Sequence, residues 1–480
     1  TLPTFRRQRQ MCIRDRLLEA GGRDTLPVIH IPLGFAFLMK NPKVNWCYET
    51  EPEPNMHHRR MSWPRGKVIG GTSAINGMVY IRGQREDYDH WSSLGNTGWS
   101  YEEVLPYFKR CEHKAEGASE YHGYGGPLWV AEVPNKEKLE LADIFIQAGV
   151  QTGLPYNEDF NGASQEGAGY YQLNVRDGRR QSTARTYLKA CEQRPNLVLE
   201  TNALTRQIII EDGRAVGVEY SRRDGKKTSI ERAFASGEVI LCGGVINSPQ
   251  LLELSGIGNR EHLESLDIAV KHHLPGVGEN LQDHLTINIQ QGLHGVTTFF
   301  EETRPLAMLK NLCKYLFQRS GLLAHAAAQA GVFLRTSDTV ERPDAQVHFA
   351  PAASEPDSKG NLKTTPGTTA TVCHLRPESR GSVHIKSSNP EAAPAIKANY
   401  LDTENDRQAM IAAVRKVREI FLAPALDKYR GEEFKPGPLA QSDEQILDYI
   451  RDEAESVYHP VGTCKMGSDD MAVVDERLRV

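Results

Sequence analysis

The run GEVILCGGVINSPQLLELSGIG, Gly237 to Gly258, sets the class of fold expected for this chain. Val239 to Cys242 read as a short apolar strand, and Gly243-Gly244 as the turn that ends it. Ser248 is then the expected N-cap of a helix, with Pro249 in its first turn and Ser255-Gly256 at its end. A strand, a glycine turn and a capped helix together bring a helix N-terminus, with its unpaired N–H groups, to a phosphate or a flavin.

Upstream the pattern is of strands. NLVLET leads into LTRQIIIEDGRAVGVEYSRRDGKKTSIERA, where Asp212-Gly213 and Asp224-Gly225 are hairpin dipeptides between apolar runs. These predict an antiparallel meander. Further upstream LLEAGG, from Leu17, reads as the end of a buried parallel strand. Its acidic residue, Glu19, sits where a dinucleotide fold holds the adenosine ribose. A Gly-x-Gly-x-x-Gly turn is expected roughly 20 residues before such an acid. Nothing before Leu17 supplies it. Residues 1–16 are basic and unpatterned and are expected to be non-native or disordered. A parallel strand, a meander and a return strand indicate a flavin-binding fold rather than a plain nicotinamide one.

RGKVIGGTSAINGMVYIRG, from Arg65, offers a second glycine turn at Gly70 and Gly71. Thr72 and Ser73 are expected to cap a helix starting in SAINGMVY. The alternative is a plain loop-to-helix cap. GWSYEEVLPYFKRCEHK predicts a scaffold helix capped by Ser100. HHLPGVGENLQDH predicts tight backbone at Gly276 and Gly278. His284 either faces a ligand or bonds to backbone, the second being favoured. Residues 286–375 carry little signature and are assigned to a substrate cap. NDRQAMIAAVRKVREIFLAPAL is a clear amphipathic helix.

Composition bounds the function. The chain has 480 residues, 39% apolar and 25% charged, with a net charge of −5. That leaves no electrostatic footprint for nucleic acid. No apolar run is long enough to span a bilayer. IPLGFAFLMK, from Ile31, reads first as a surface loop and second as a shallow membrane contact. Eight scattered cysteines with no Cys-x-x-Cys pair argue against a zinc site and for thiols in a reducing, cytoplasmic compartment.

GKVIGGTSAIN, NSPQLLELSGIG, LPGVGENLQDH and HPVGTCKMG stand in one chain and one order. Together they resemble the glucose–methanol–choline (GMC) family of FAD-dependent oxidoreductases, from about Leu17 to Val480. YETEPEP, NGMVYIRG and GRRQSTARTYL bring the likeness closest to bacterial choline and primary-alcohol dehydrogenases. The resemblance implies an α/β fold: a Rossmann-like FAD domain over 17–285 with a meander inserted and substrate segments interleaved, then a mixed-sheet substrate domain. Residues 376–480 would form the C-terminal region that carries the catalytic histidine. It assigns Glu19 to the ribose. Gly70, Gly71, Ser73, Asn76, Gly77, Met78, Val79 and Gly243 would line the pyrophosphate and flavin. The backbone of Leu204 would meet adenine.

Some relatives attach FAD through a histidine where this chain has Asn76, so non-covalent FAD is expected. His459 matches the catalytic histidine, and Tyr458 and Gln329 fall to the substrate side. Choline-specific relatives carry a glutamate near Gln329, so a neutral primary alcohol is the expected substrate. The electron acceptor would be a quinone, a carrier or oxygen. Val245 replaces the small residue usual in the second signature. Family members also continue past VVDERLRV with a second active-site residue. A chain cut at both ends is therefore expected. The rivals are a hydroxynitrile lyase on the same fold and a non-catalytic protein. Near neutrality an imidazole can exchange a proton, its ordinary pKa being about 6.5. Pro460 restricts the backbone before it, and Gly462 is expected to let the loop pack close to the flavin.

Overall fold

The computed structural model describes residues 14–225, 227–356 and 362–480. Residues 1–13 of the N-terminal segment lie outside it, whereas Asp15 and Arg16 open the first strand, β1 (Asp15–Glu19). Helix α1 (Tyr101–Cys111) begins at Ser100, whose side chain and that of Glu103 form a reciprocal capping box. Helix α2 (Glu140–Gln151) buries Leu141, Phe145 and Ala148 on one side and exposes Glu140, Asp143 and Gln147 on the other. Strand β2 (Gly167–Tyr170) follows it.

β1 pairs in parallel with β3 (Leu197–Thr201), from Asp15 opposite Leu197 to Glu19 opposite Thr201. The pairing matches expectation but the burial does not, since Leu17 is 43% exposed. The meander forms as the Asp-Gly turns dictate: β4 (Ala203–Glu211), β5 (Arg214–Asp224) and β6 (Lys227–Phe234) lie antiparallel. Asp212 and Gly213 both adopt positive φ, as a two-residue hairpin requires.

The expected strand at Val239 to Cys242 is not formed. Ile240 is 76% exposed, and no described residue pairs with the segment. A parallel strand exists only through its neighbour's backbone, so composition alone could not decide it. Helix α3 (Gly244–Leu254) starts earlier than expected, with Gly243 rather than Ser248 at the N-cap, and so holds Pro249 in its interior. Nor does SAINGMVY become a helix. It makes one 3-10 turn over Gly71–Ala74, and Met78 at φ 63 then turns the chain into a short strand.

The second half is built on one antiparallel sheet. Its strands are β7 (Leu285–Leu293), β8 (Ala330–Leu334), β9 (Ala345–Ala350), β10 (Gly367–His374), β11 (Arg430–Lys435) and β12 (Glu455–Ser456). The order is β11-β7-β10-β9-β8-β2, with β12 also on β7. The pairings between its strands are antiparallel, and Tyr156 adds a parallel bridge to Ala168 of β2. Between β7 and β8 runs helix α4 (Pro305–Gln318). Helix α5 (Glu404–Phe421), the amphipathic one, buries Met410, Val414 and Val417 against the sheet. α2 packs beside it through Phe145, stacked on Phe349 at 4.1 Å. Burying each of these side chains is worth about 2 kcal/mol, which makes this the main core of the molecule.

Candidate active site

The register of β7 and β12 builds the centre of the site. Leu285 lies opposite Ser456, and Gln282 and Val461 exchange backbone hydrogen bonds across the loop that follows. Asp283 and His284 on one side are thereby set against Tyr458 and His459 on the other. The Nδ1 atoms of His284 and His459 are 3.3 Å apart, with the rings edge to face. His284 thus turns to the second histidine and also bonds to backbone at Leu375, the reading favoured from sequence.

Asp283 locks this loop. Oδ1 accepts the His459 backbone N–H at 2.9 Å, and Oδ2 accepts the hydroxyls of Ser456, at 2.5 Å, and of Tyr400. Burial raises its pKa to about 6, against the pull of those hydrogen bonds. Tyr458 takes a positive φ of 68, and its carbonyl accepts from the Arg65 guanidinium at 2.6 Å. Gly462, at φ 101, is tight against Asn280: a Cβ there would lie 2.2 Å from the Asn280 carbonyl oxygen. The glycine therefore serves the packing of its own loop on LPGVGENLQDH.

The imidazoles are held neutral. His459 is open to solvent by surface area but ringed by protein, and that burial, aided by the charge on Arg65, lowers its pKa to about 4. Burial, then the neighbouring His459 and His374, takes His284 to about 3. His348 on β9 is likewise pressed to about 3 by burial and by His459.

Hydrogen bonds join the other motifs to one another. The carbonyl of Gly22, just past Glu19, accepts from Ile69 N–H at 3.0 Å, so the end of β1 abuts the Gly70-Gly71 turn. Gly70 has φ +92 with Ala184 packed at its back, whereas a Cβ on Gly71 would meet nothing within 4 Å. Ser73 Oγ donates to the Gly70 carbonyl at 2.6 Å and accepts from Thr183 N–H at 2.9 Å. Arg180, fully buried, donates through Nη1 to both the carbonyl and Oδ1 of Asn76, at 2.6 and 2.7 Å.

α3 is tied in through its internal proline. Pro249 has no N–H to offer Val245, four residues back. The Val245 carbonyl instead accepts from Thr463 Oγ1 at 2.6 Å, four residues past His459. The turn at the start of α3 is open, since a Cβ on Gly244 would touch nothing within 4 Å.

The other expected site residues are more dispersed. Glu19 accepts from Gly21 N–H at 2.7 Å, and burial raises its pKa to about 7. Leu204 lies in the β4–β5 ladder opposite Ser221. Val79 pairs with Leu173. Met78 buries its side chain with Ala326 and Ala328, and a Cβ on Gly77 would come within 2.8 Å of the Ala327 methyl. Gln329 follows two residues later, buried, donating to the Glu137 carbonyl at 2.9 Å and paired with His325 Nδ1 at 2.5 Å.

Sequence reasoning missed Asp283, Arg65, Arg180 and Thr463. Each lies inside or beside a quoted motif. Their partners lie 104 to 393 positions away in sequence, from Arg180 with Asn76 to Arg65 with Tyr458, which no local pattern reports.

Comparison with known proteins agrees with this arrangement. The GMC oxidoreductase family models match residues 15–286 and 377–480. The chain is 45% identical over 470 residues to oxygen-dependent choline dehydrogenase 1 of Chromohalobacter salexigens, spanning 97% of this chain and 83% of that one. It is 42% identical over 466 residues to an alcohol dehydrogenase [acceptor] of Pseudomonas putida, spanning 97% and 84%. Pyridoxine 4-oxidase from Mesorbium loti superimposes with a TM-score of 0.87 at 30% identity, over 98% of this chain and 88% of that one. The glycine turns and the histidine loop are therefore parts of one known framework, and the chain belongs to the GMC oxidoreductase family of flavoenzymes.

Proposed function

We propose that the protein oxidises a neutral primary alcohol to its aldehyde with non-covalently bound FAD, and that His459 takes the hydroxyl proton. The observation that carries this is the placing of His459, its N–H held by Asp283 and the carbonyl before it by Arg65. The chain's own residues fit the cofactor. Gly71 and Gly244 leave open space where a side chain would intrude, Glu19 stands at the end of β1 with one oxygen engaged by Gly21 N–H, and the buried Arg180 keeps an Nη2 without a partner among the described residues. Glu19 would hold the ribose, and the Gly70–Val79 turn with Gly243 would hold the pyrophosphate and ring. Asn76 supplies an amide, which forms no covalent link to flavin. When bound, FAD supplies the hydride acceptor, flavin N5.

The protein's work is positional and protonic. Because burial keeps His459 neutral, a ring nitrogen has its lone pair free to accept the proton as hydride leaves. Asp283 fixes the backbone of that residue and Arg65 fixes the carbonyl before it, so the imidazole is placed before substrate arrives. His284 caps Nδ1 of His459 and leaves Nε2 for the substrate oxygen. Gln329 gives the substrate side a neutral amide, with no carboxylate to attract a quaternary ammonium. Tyr458 borders the same loop. The electrons then pass to a quinone, a carrier or oxygen, with dehydrogenase chemistry favoured by the likeness.

The test is an anaerobic absorbance scan of the FAD-loaded protein with neutral primary alcohols and with choline. Bleaching of the flavin by the alcohols, at lower concentration than by choline, is expected. No bleaching by any alcohol, or bleaching by choline alone, would contradict the reading.

A further inference from the structure

Helix α4 is built inside out. The side it turns to the protein carries Asn311 and Tyr315, both buried and both hydrogen-bonded inward: Asn311 donates to the Glu302 carboxylate at 2.7 Å, and Tyr315 to the Gly178 carbonyl at 3.1 Å. Its outward side is apolar. Leu306 is 84% and Phe317 85% exposed, and Leu309, Leu312 and Leu316 are exposed between them. At about 100° per residue these five fall on one side of the helix. A folded protein does not leave a whole helical stripe of leucine in water without reason, because each side chain there forgoes about 2 kcal/mol of burial.

The charges on this helix are of one sign, although Glu301 and Glu302 stand in the turn before it. α4 contains no acidic residue, and Lys310 and Lys314 border its apolar side. Arg304 precedes it and Arg319 closes it. Arg304 has Glu301 near it, while Lys310, Lys314 and Arg319 form no ion pair among the described residues. This occurs on a chain whose net charge is −5, so the basic rim is local. A second apolar tip is close by. The turn Pro32–Gly34 packs on Leu322–Ala324, which follows α4, and Phe37 three residues on is 75% exposed. No helix among the described residues is long and apolar enough to cross a membrane.

We propose that α4, with Phe37 beside its C-terminal end, lies in the headgroup layer of an anionic bilayer and holds the enzyme to a membrane surface. An exposed apolar stripe with a cationic rim matches that interface on both counts, leucines and phenylalanine entering the acyl boundary and lysines meeting lipid phosphate. A second protein copy would offer no such excess of negative charge, since the copy's own α4 carries the same cations. The geometry also connects to the site. The chain passes from α4 through Leu322–Ala324 directly to Ala327, whose N–H donates to the Gly77 carbonyl at 3.3 Å. The bilayer would therefore lie beside the substrate-side loop. This inference does not rest on the role of His459, and its readout is binding alone.

The test is co-sedimentation of the full chain with vesicles of phosphatidylethanolamine and phosphatidylglycerol, and with vesicles of phosphatidylcholine. Two variants are compared with the parent: L309E/L316E and K310E/K314E. Both alter exposed side chains, and unchanged far-ultraviolet circular dichroism and unfolding midpoint confirm that they fold. The parent is expected to pellet with the anionic vesicles and less with phosphatidylcholine, and each variant to lose at least about tenfold in partitioning. A parent that stays in the supernatant, or an L309E/L316E variant that pellets as the parent does, overturns the proposal. So does light scattering that finds a lipid-indifferent dimer which L309E/L316E splits into monomers, because the stripe would then belong to a second copy.

Discussion

The residue on which the site depends most is Asp283 rather than the histidine beside it. One buried carboxylate accepts three donors: the His459 N–H and the Ser456 and Tyr400 hydroxyls. Truncating it would strand all three away from water, at roughly 1 kcal/mol or more apiece. Asp283→Ala is therefore expected to lower unfolding free energy by about 3 kcal/mol, measured by denaturant titration, and to abolish activity by releasing the loop. A change under about 0.5 kcal/mol would show that the carboxylate is dispensable to the loop. The adjacent His284 shows the same dependence on position. Its chemical type is plain in the sequence, but what it faces depends on the pairing of Leu285 with Ser456.

At the scale of elements, α3 shows how a local cost becomes a tertiary contact. Pro249 removes the helical donor to Val245, and Thr463 from the histidine loop takes that donor's place. Thr463→Val keeps the shape and deletes the hydroxyl, leaving the carbonyl unpaired. It is expected to cost about 1 kcal/mol of stability in thermal unfolding and to weaken alcohol-driven flavin reduction. A variant with parental stability would contradict the coupling of helix to loop. Elements were legible in proportion to how local their causes are. The meander, the Ser100 capping box and α5 depend on dipeptides, caps and helical periodicity within one stretch. The segment 239–242 does not, because a parallel strand needs a partner across space. The strands of 286–375 were obscure for a related reason. β8 is buried at all five positions and has no apolar–polar alternation, while β7 alternates only from Leu285 to Gln290 and is buried on both faces, at eight of nine positions.

At the scale of the whole molecule, the buried titrating groups set the pH response. Burial depresses His284, His348, His325 and His459, to between about 3 and 4, below the ordinary 6.5. Each therefore favours the fold above pH 6.5, and that contribution is lost as pH falls toward 4. Asp283 and Glu19, raised to about 6 and about 7, act in the opposite sense and favour the fold as pH falls. Because His284 and His348 shift furthest, unfolding free energy is expected to drop between pH 6.5 and 4 in denaturant titrations at a series of pH values. A stability that rises across that window would mean the histidines are hydrated and not held neutral. The family was legible in the sequence because four motifs with fixed order carry it. The joining of those motifs by Arg65, Asp283, Arg180 and Thr463 was not, since each spans distant parts of the chain.

The central claim is that a neutral His459, held before substrate binds, removes the alcohol proton. It is tested most directly by single-turnover reduction of the FAD-loaded protein by a primary alcohol, comparing the parent with His459→Ala at matched flavin content. The account predicts a fall of about 10² or more in the reduction rate. In the parent it also predicts a rate that declines only near pH 4, not near 6.5. A variant that reduces its flavin at close to the parental rate would contradict it.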